Sequence, residues 1–372
     1  MKKQRVVVKI GSSSLTNDRG EIDEKKLADH VKAVAAIRAE GHEVILVSSG
    51  AVAAGFLQLG YPSRPVTIKG KQASAAVGQS LLIQSYIDEF NSYELTPAQV
   101  LLTRGDFSDK DRFQNAFATL SELLDRGIIP IINENDTVAV DELTFGDNDM
   151  LSALVSGFLH ADQLILLTDI NGLYDSNPRK NPDAKKYDYL EEITDDMMQG
   201  ADSTGSKVGT GGMYSKLQAA NKALSLGVKV FIGTGEGEAK LTNIISGKGD
   251  GTYIVNDSLP PINTGRQWIA FHSEPTGKLF VDKGAEEAIL HHGRSLLPAG
   301  VYKVSGTFAK GDVVEVHGET SMLGKGQVNT SSDDIRKYIL ERNKRRHEEK
   351  RNRKPATEVI HRDRWVELSD HI

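Results

Sequence analysis

The 372-residue chain contains no cysteine. That excludes disulfides, thiolate metal sites and thiol catalysis, and rules out a secreted fold held by a disulfide framework. It also lacks any run approaching the ~18–20 apolar residues of a membrane-spanning helix. The apolar start Val6-Val7-Val8 is interrupted by Lys9 and ends at Ile10, too short for the apolar region of a signal peptide. The expectation is a soluble, cytoplasmic protein. An excess of positive charge is missing too: the formal net charge of −6 argues against a chain that mainly binds nucleic acid. There is no Gly-x-x-x-x-Gly-Lys-Ser/Thr loop and no Gly-x-Gly-x-x-Gly after an N-terminal strand, so neither common nucleotide fingerprint applies. No Ser/His/Asp arrangement, no His-x-x-x-His pair and no internal repeat occurs. His291-His292 read as solvated neighbours.

What is present is a glycine-rich stretch leading into a helix. Gln163 to Asp169 reads as a buried strand ending in a carboxylate. Further on, Gly205 to Gly212 is too glycine-rich for regular structure. From Met213 to Leu226 the apolar residues Leu217, Ala220 and Leu224 recur at helical spacing. A glycine loop entering a helix directs unpaired N–H groups and the positive end of the helix dipole at one point. Lys216, in the first turn, adds a full positive charge there. The pattern suits a phosphate cradle, although a Gly-Gly pair can also be a plain hinge.

The rest of the N-terminal region repeats strand, polar turn, helix. Arg5–Ile10, Glu43–Val47, Thr96–Leu102, Ile128–Ile132 and Val228–Gly233 read as strands, the last closing the domain. Glu24–Glu40, Lys69–Phe90, Arg112–Arg126 and Met150–Leu159 read as helices. This rhythm predicts an α/β fold, an open and mainly parallel sheet sandwiched by helices. Four strand ends carry polar residues: Lys9 and Gly11; Ser49 and Gly50; Asn133 to Asp136; Thr168 and Asp169. Ligands of open α/β sheets bind outside those ends. Two readings of Lys9 stand: a lysine aimed at a phosphate, or an edge-strand lysine facing water. Similarly, Asp147 or Asn148 can be a helix N-cap or part of a substrate site.

A chain of this length is expected to form two domains. The boundaries read as residues 1–258, a linker at 259–274, and 275–372, the last a small β-rich barrel-like module with short strands between glycine turns. Within it the segment from Asp333 to Lys354 is strongly basic, including Arg342, Lys344 and Arg345, and suits either RNA phosphates or a solvated face.

Taken in order, Lys9-Ile10-Gly11-Ser12-Ser13, Val47-Ser48-Ser49-Gly50-Ala51, Ile132-Asn133-Glu134-Asn135-Asp136, Gly146-Asp147-Asn148-Asp149, Leu167-Thr168-Asp169 and Thr210-Gly211-Gly212-Met213 with Lys216 resemble the amino-acid kinase superfamily. Within it they are most similar to the glutamate 5-kinase family. His292-Gly293-Arg294-Ser295-Leu296-Leu297-Pro298-Ala299-Gly300 resembles the PUA domain, an RNA-binding module elsewhere. Ser215 stands where the family usually has threonine, and the loop from Asp183 to Asp188 matches nothing. The resemblance implies ATP-dependent phosphorylation of the γ-carboxylate of L-glutamate, the first step of proline biosynthesis. It implies ATP contacts at Lys9, Gly11, Thr168, Asp169 and Thr210-Gly211-Gly212-Met213-Tyr214-Ser215-Lys216, with magnesium on the phosphates. Glutamate contacts are implied at Ser49, Gly50, Asp136 and Asn148, and no dedicated protein metal site. Lys9 and Lys216 would stabilise the moving phosphoryl group, and Asp169 would position them. Ser49 and Asn148 are expected to donate hydrogen bonds to substrate carboxylates, with Asp136 on the ammonium. Proline as feedback inhibitor, a downstream glutamyl phosphate reductase and a homo-oligomer are also implied. RNA binding by the C-terminal module is left open.

Overall fold

The computed structural model describes residues 2–138, 148–178, 181–202, 212–237, 239–256, 264–344 and 358–367. They fall into two compact units, Met1–Asp106 with Asp111–Pro261, and Ile262–Ile372 with Phe107–Lys110.

The first unit is built on an eight-stranded sheet in the order β3-β4-β2-β1-β5-β9-β10-β8. Its centre is β1 (Arg5–Ile10), β2 (Glu43–Ser48) and β5 (Gln163–Thr168), with β1 hydrogen-bonded in parallel to both neighbours. β3 (Pro97–Leu102) and β4 (Ile129–Glu134) extend the parallel sheet on one side and β9 (Lys229–Thr234) on the other. Valine and isoleucine fill these strands because both faces are covered, the usual state of a parallel sheet. Val6, Val7, Val8 and Ile10 are fully buried. Lys9 is therefore no edge-strand lysine: its strand is central and the residue is 1% exposed.

Helix α1 (Glu24–Ala39) is capped by Asp23, whose carboxylate accepts from the amides of Lys25 and Lys26, and it buries Leu27, Val31, Val34 and Ile37. It also buries His30. One ring nitrogen of His30 lies 3.2 Å from the Ser14 carbonyl and the other 3.3 Å from Lys240 Nζ, while Lys240 pairs with Asp29. Burial, and then the Lys240 charge, lower the His30 pKa to about 4. The neutral ring thus links α1 to the turn that follows β1.

Helices α2 (Ala51–Gly55) and α3 (Ile68–Asn91) cross at unusually short range. A Cβ on Gly78 would lie 1.9 Å from the Ala51 carbonyl oxygen, and one on Gly55 would lie 2.0 Å from that of Ser74. Backbone meets backbone here, so glycine is required on both helices. The remaining helices that matter for the site are α4 (Asn148–Phe158) and α5 (Met213–Ser225).

Two expectations need correction. Lys229–Thr234 is not the last strand: β10 (Gly251–Ile254) runs antiparallel to it, ahead of the linker expected at 259–274. Gly251 makes room for Phe231, whose ring would meet a Cβ there at 2.3 Å. The unmatched loop also has structure. β7 (Lys186–Tyr187) pairs with β6 (Leu173–Tyr174), and β8 (Tyr189–Leu190) joins the sheet beside β10.

The second unit has a five-stranded sheet, order β12-β11-β13-β14-β15: β11 (Gly277–Val281), β12 (Val301–Gly306), β13 (Val313–His317), β14 (Met322–Val328) and β15 (Ile360–Glu367). Leu279, Val281, Val314, Val316, Val328 and Ile360 form its core. The basic segment begins as a helix, Ser332–Lys344, in which the Arg342 guanidinium donates to the Ala299 carbonyl. Residues 345–354 lie outside the described residues. His291 and His292 are exposed.

The Gly55–Gly78 crossing yields a stability prediction. Gly78→Ala should destabilise the first unit by about 3 kcal/mol, the upper end for overpacking, seen as a lower urea midpoint. Gly200→Ala, where a Cβ meets nothing within 4 Å, should cost nothing. Equal midpoints for the two variants would show that the crossing relaxes.

Candidate active site

The carboxyl ends of β1, β2, β4 and β5 converge with the N-terminal ends of α4 and α5. Lys9 projects from β1 and Lys216 from the first turn of α5. Between them sits Asp149, in the first turn of α4 and fully buried. Its Oδ1 lies 2.6 Å from Lys9 Nζ and its Oδ2 lies 3.0 Å from Lys216 Nζ. Ser215 Oγ donates to the same Oδ2 at 3.0 Å and to the Gly212 carbonyl at 2.9 Å.

Isolated buried ammonium groups are costly, and two side by side repel; one carboxylate in bidentate contact offsets both effects. The trio keeps one net positive charge. Such a point attracts an anion with more than one charged oxygen, as a phosphate chain has.

The turn after Lys9 passes close to its ammonium: a Cβ on Gly11 would lie 3.5 Å from Lys9 Nζ, an ordinary contact distance. Behind the turn, Lys26 Nζ donates to the Thr16 carbonyl at 2.6 Å, and His30 takes the Ser14 carbonyl. These carbonyls are thereby drawn to the α1 side.

Acceptor-side residues lie next to the trio. Ser49 follows β2, and its amide donates to the Ile10 carbonyl at 3.2 Å, tying the ends of β1 and β2 together. Gly50 has φ 111°, a left-handed conformation that favours glycine and turns the chain into α2. Asn148 does not cap its helix. Its Nδ2 donates to the Ser48 carbonyl at 2.7 Å, to Asn133 Oδ1 at 2.8 Å and to Ser49 Oγ at 3.1 Å. Ser48 in turn shares a 2.9 Å hydrogen bond with the buried Tyr86 hydroxyl. Asn148 Oδ1 is buried and accepts no hydrogen bond. Asp136, beyond β4, has its pKa raised to about 6 by burial, a shift opposed by the Arg64 charge.

Sequence reasoning and geometry differ at three points. The carboxylate between the lysines is Asp149, whereas Asp169 is exposed and accepts the Thr168 hydroxyl at 3.2 Å. Asp169 ends an apolar strand run and Asp149 opens a helical one, and only the fold separates them. Second, the Asn148 amide group is committed to protein acceptors, so its remaining capacity is to accept, not to donate to a carboxylate. Third, Asn133, which the sequence offered only as one of four polar residues at the end of its strand, is buried and bonded to Asn148. Thr168, Gly212, Met213, Tyr214 and Ser215 lie at the expected ends of β5 and α5. Thr210, Gly211 and Asp147 lie outside the described residues.

Comparison with known proteins gives the family. The sequence profile of the amino acid kinase family matches residues 4–234, and that of the PUA domain matches residues 277–347. The chain is 62% identical over 370 residues to glutamate 5-kinase 1 of Bacillus licheniformis, covering 100% of each chain, and equally to that of Bacillus subtilis. It is 58% identical to the glutamate 5-kinase of Oceanobacillus iheyensis over 98% of this chain and 97% of the other. Among solved structures, carbamate kinase from Giardia lamblia shares the fold at 14% identity and a TM-score of 0.50, covering 69% of this chain and 99% of the other. Two buried lysines on one carboxylate, on a fold of this kind and in a chain this similar, lead to one assignment: the chain belongs to the amino acid kinase family, among the glutamate 5-kinases that carry a PUA domain.

Proposed function

We propose that the protein transfers the γ-phosphoryl group of ATP to the γ-carboxylate of L-glutamate, giving L-glutamyl 5-phosphate in the first step of proline biosynthesis. The observation that carries this reading is the Lys9–Asp149–Lys216 trio beside a cluster of hydrogen-bond acceptors. Glutamate presents two carboxylates and one ammonium. Asp136 and Asn148 Oδ1 suit the ammonium, which leaves the side-chain carboxylate to point at the trio.

The carboxylate is ionised at neutral pH, so the attack needs no general base. One oxygen forms the new bond to phosphorus as the bond to the ADP oxygen breaks. The difficulty lies in bringing two anions together and in holding the charge of the moving phosphoryl group. Lys9 and Lys216 serve that purpose from opposite sides, and Asp149 sets the distance between them. Thr168, Asp169, Gly11 and the stretch from Thr210 to Ser215 line the nucleotide side in this reading. Magnesium fits as a ligand of the ATP phosphates, whose hard anionic oxygens suit it and whose charge it reduces. The same ammonium-binding acceptors fit proline, which supports feedback inhibition there. The acyl phosphate product is labile, which supports direct use by a reductase.

Hydroxylamine trapping tests the assignment: with Mg-ATP and L-glutamate the protein should form γ-glutamyl hydroxamate, and with aspartate or acetylglutamate it should not. No hydroxamate from glutamate would overturn it. Lys216→Ala should lower kcat by ~10²–10³, the scale of one lost electrostatic stabiliser. Asp149→Asn should also reduce kcat strongly, since the two ammonium groups lose the charge that holds them. A near-normal rate in either variant removes that residue from the mechanism.

Asp136 gives a pH prediction. Its carboxyl must be ionised to hold an ammonium, so kcat/KM for glutamate should fall as pH drops through about 6. Asp136→Asn should raise KM for glutamate far more than KM for ATP. Because the carboxyl ionises less readily in the fold than in the unfolded chain, the same variant should gain Tm at pH 7.5, and that gain should shrink as pH falls from about 6 towards the ordinary value of 3.8. Equal changes in both KM values would refute the assignment.

A further inference from the structure

A chain of three side-chain amides runs from α3 to the acceptor site, and its direction is set by backbone groups. Asn133 Oδ1 accepts the Glu134 amide at 2.9 Å, and a backbone N–H can only donate, so this oxygen is fixed in place. Asn148 Nδ2 donates to the Ser48 carbonyl at 2.7 Å, and a backbone carbonyl can only accept, so this nitrogen is fixed as well. Asn148 Nδ2 then meets Asn133 Oδ1 at 2.8 Å, and Asn133 turns its own Nδ2 outward. That nitrogen donates to Gln79 Oε1 at 2.8 Å. Reversing the Asn133 or the Asn148 amide would set like against like at its backbone contact and at the contact between the two amides.

The consequence appears at the far end. With Nδ2 held by three acceptors, Asn148 has only its buried Oδ1 left for a ligand. Gln79 is thus the outer member of a polarity relay whose inner member presents a bare acceptor. Its neighbour Gly78 packs against the backbone of α2, which holds this part of α3 close to the sheet ends.

We infer that Gln79 is a positioning residue for the amino-acid acceptor: by accepting from Asn133 Nδ2 it holds Asn133, and through it the Asn148 amide, at the place where Asn148 Oδ1 meets the substrate's ammonium, while the Glu134 amide and the Ser48 carbonyl set which way the two amides point. This rests on the glutamate reading of the site. Gln79 itself touches no reacting atom. Its influence passes through two amides to the acceptor side and leaves the lysine trio alone.

The test is steady-state kinetics on the full chain, with hydroxamate formation as the readout and L-glutamate and ATP varied in turn. Gln79→Met and Gln79→Asn remove the acceptor or withdraw it by one methylene; Gln79→Glu keeps an acceptor in place. Both disruptive variants should raise KM for glutamate about tenfold, the worth of one neutral hydrogen bond, while KM for ATP stays within about twofold. Gln79→Glu should return KM for glutamate to within about threefold of wild type. Unchanged glutamate KM in the disruptive variants, or equal rises for both substrates, overturns the relay while the glutamate reading stands. Absence of hydroxamate from the wild-type protein overturns both. Two disruptive variants guard against one failing to fold, and Gln79→Glu separates lost polarity from lost packing, which a carboxylate of the same length would preserve.

Discussion

The fully buried carboxylate of Asp149 is the constraint on which the site depends. It holds two ammonium groups in a volume from which water is largely excluded, and each of those charges would be prohibitive there without it. The three partners come from β1, α4 and α5, which are far apart in the chain. What brings them together is the parallel order β2-β1-β5-β9, which places successive strand ends in one row and feeds the helices back over them. The sheet is therefore the device that makes a cluster of net positive charge affordable.

The second half of the site has the opposite character. On the acceptor side the free groups are oxygens: the Asp136 carboxyl, raised by burial, and Asn148 Oδ1. A ligand that spans the two halves needs a cationic end and an anionic end. Glutamate has that form, with its side chain as the spacer. Phosphoryl transfer follows from placing the anionic end against the lysines, without any further covalent role for the protein. Behind both halves lie supports: His30 and Lys26 bond to carbonyls of the first turn, and Tyr86 and Gln79 bond to Ser48 and Asn133 at the ends of β2 and β4.

The second unit has its own core. Its strands were legible because glycine turns separate short apolar runs. In the first unit Gly249 and Gly251 have another use: they are where Phe231 packs against a strand. A glycine states that space or freedom is needed, and not which of the two.

The sequence by itself determined the αβ rhythm and the polar strand ends, and it singled out Lys9 and Lys216, because periodicity, a charge inside an apolar run and a glycine loop entering a helix are local properties. It also placed Ser49, Asp136 and Asn148 at the relevant ends. Only the tertiary structure decided that Asp149, and not Asp169, lies between the lysines, since two carboxylates at element ends look alike until the sheet order is known. The polarity of Asn148 was equally out of reach. A side-chain amide can donate or accept, and which it does is settled by fixed backbone groups that the fold alone brings within hydrogen-bonding distance.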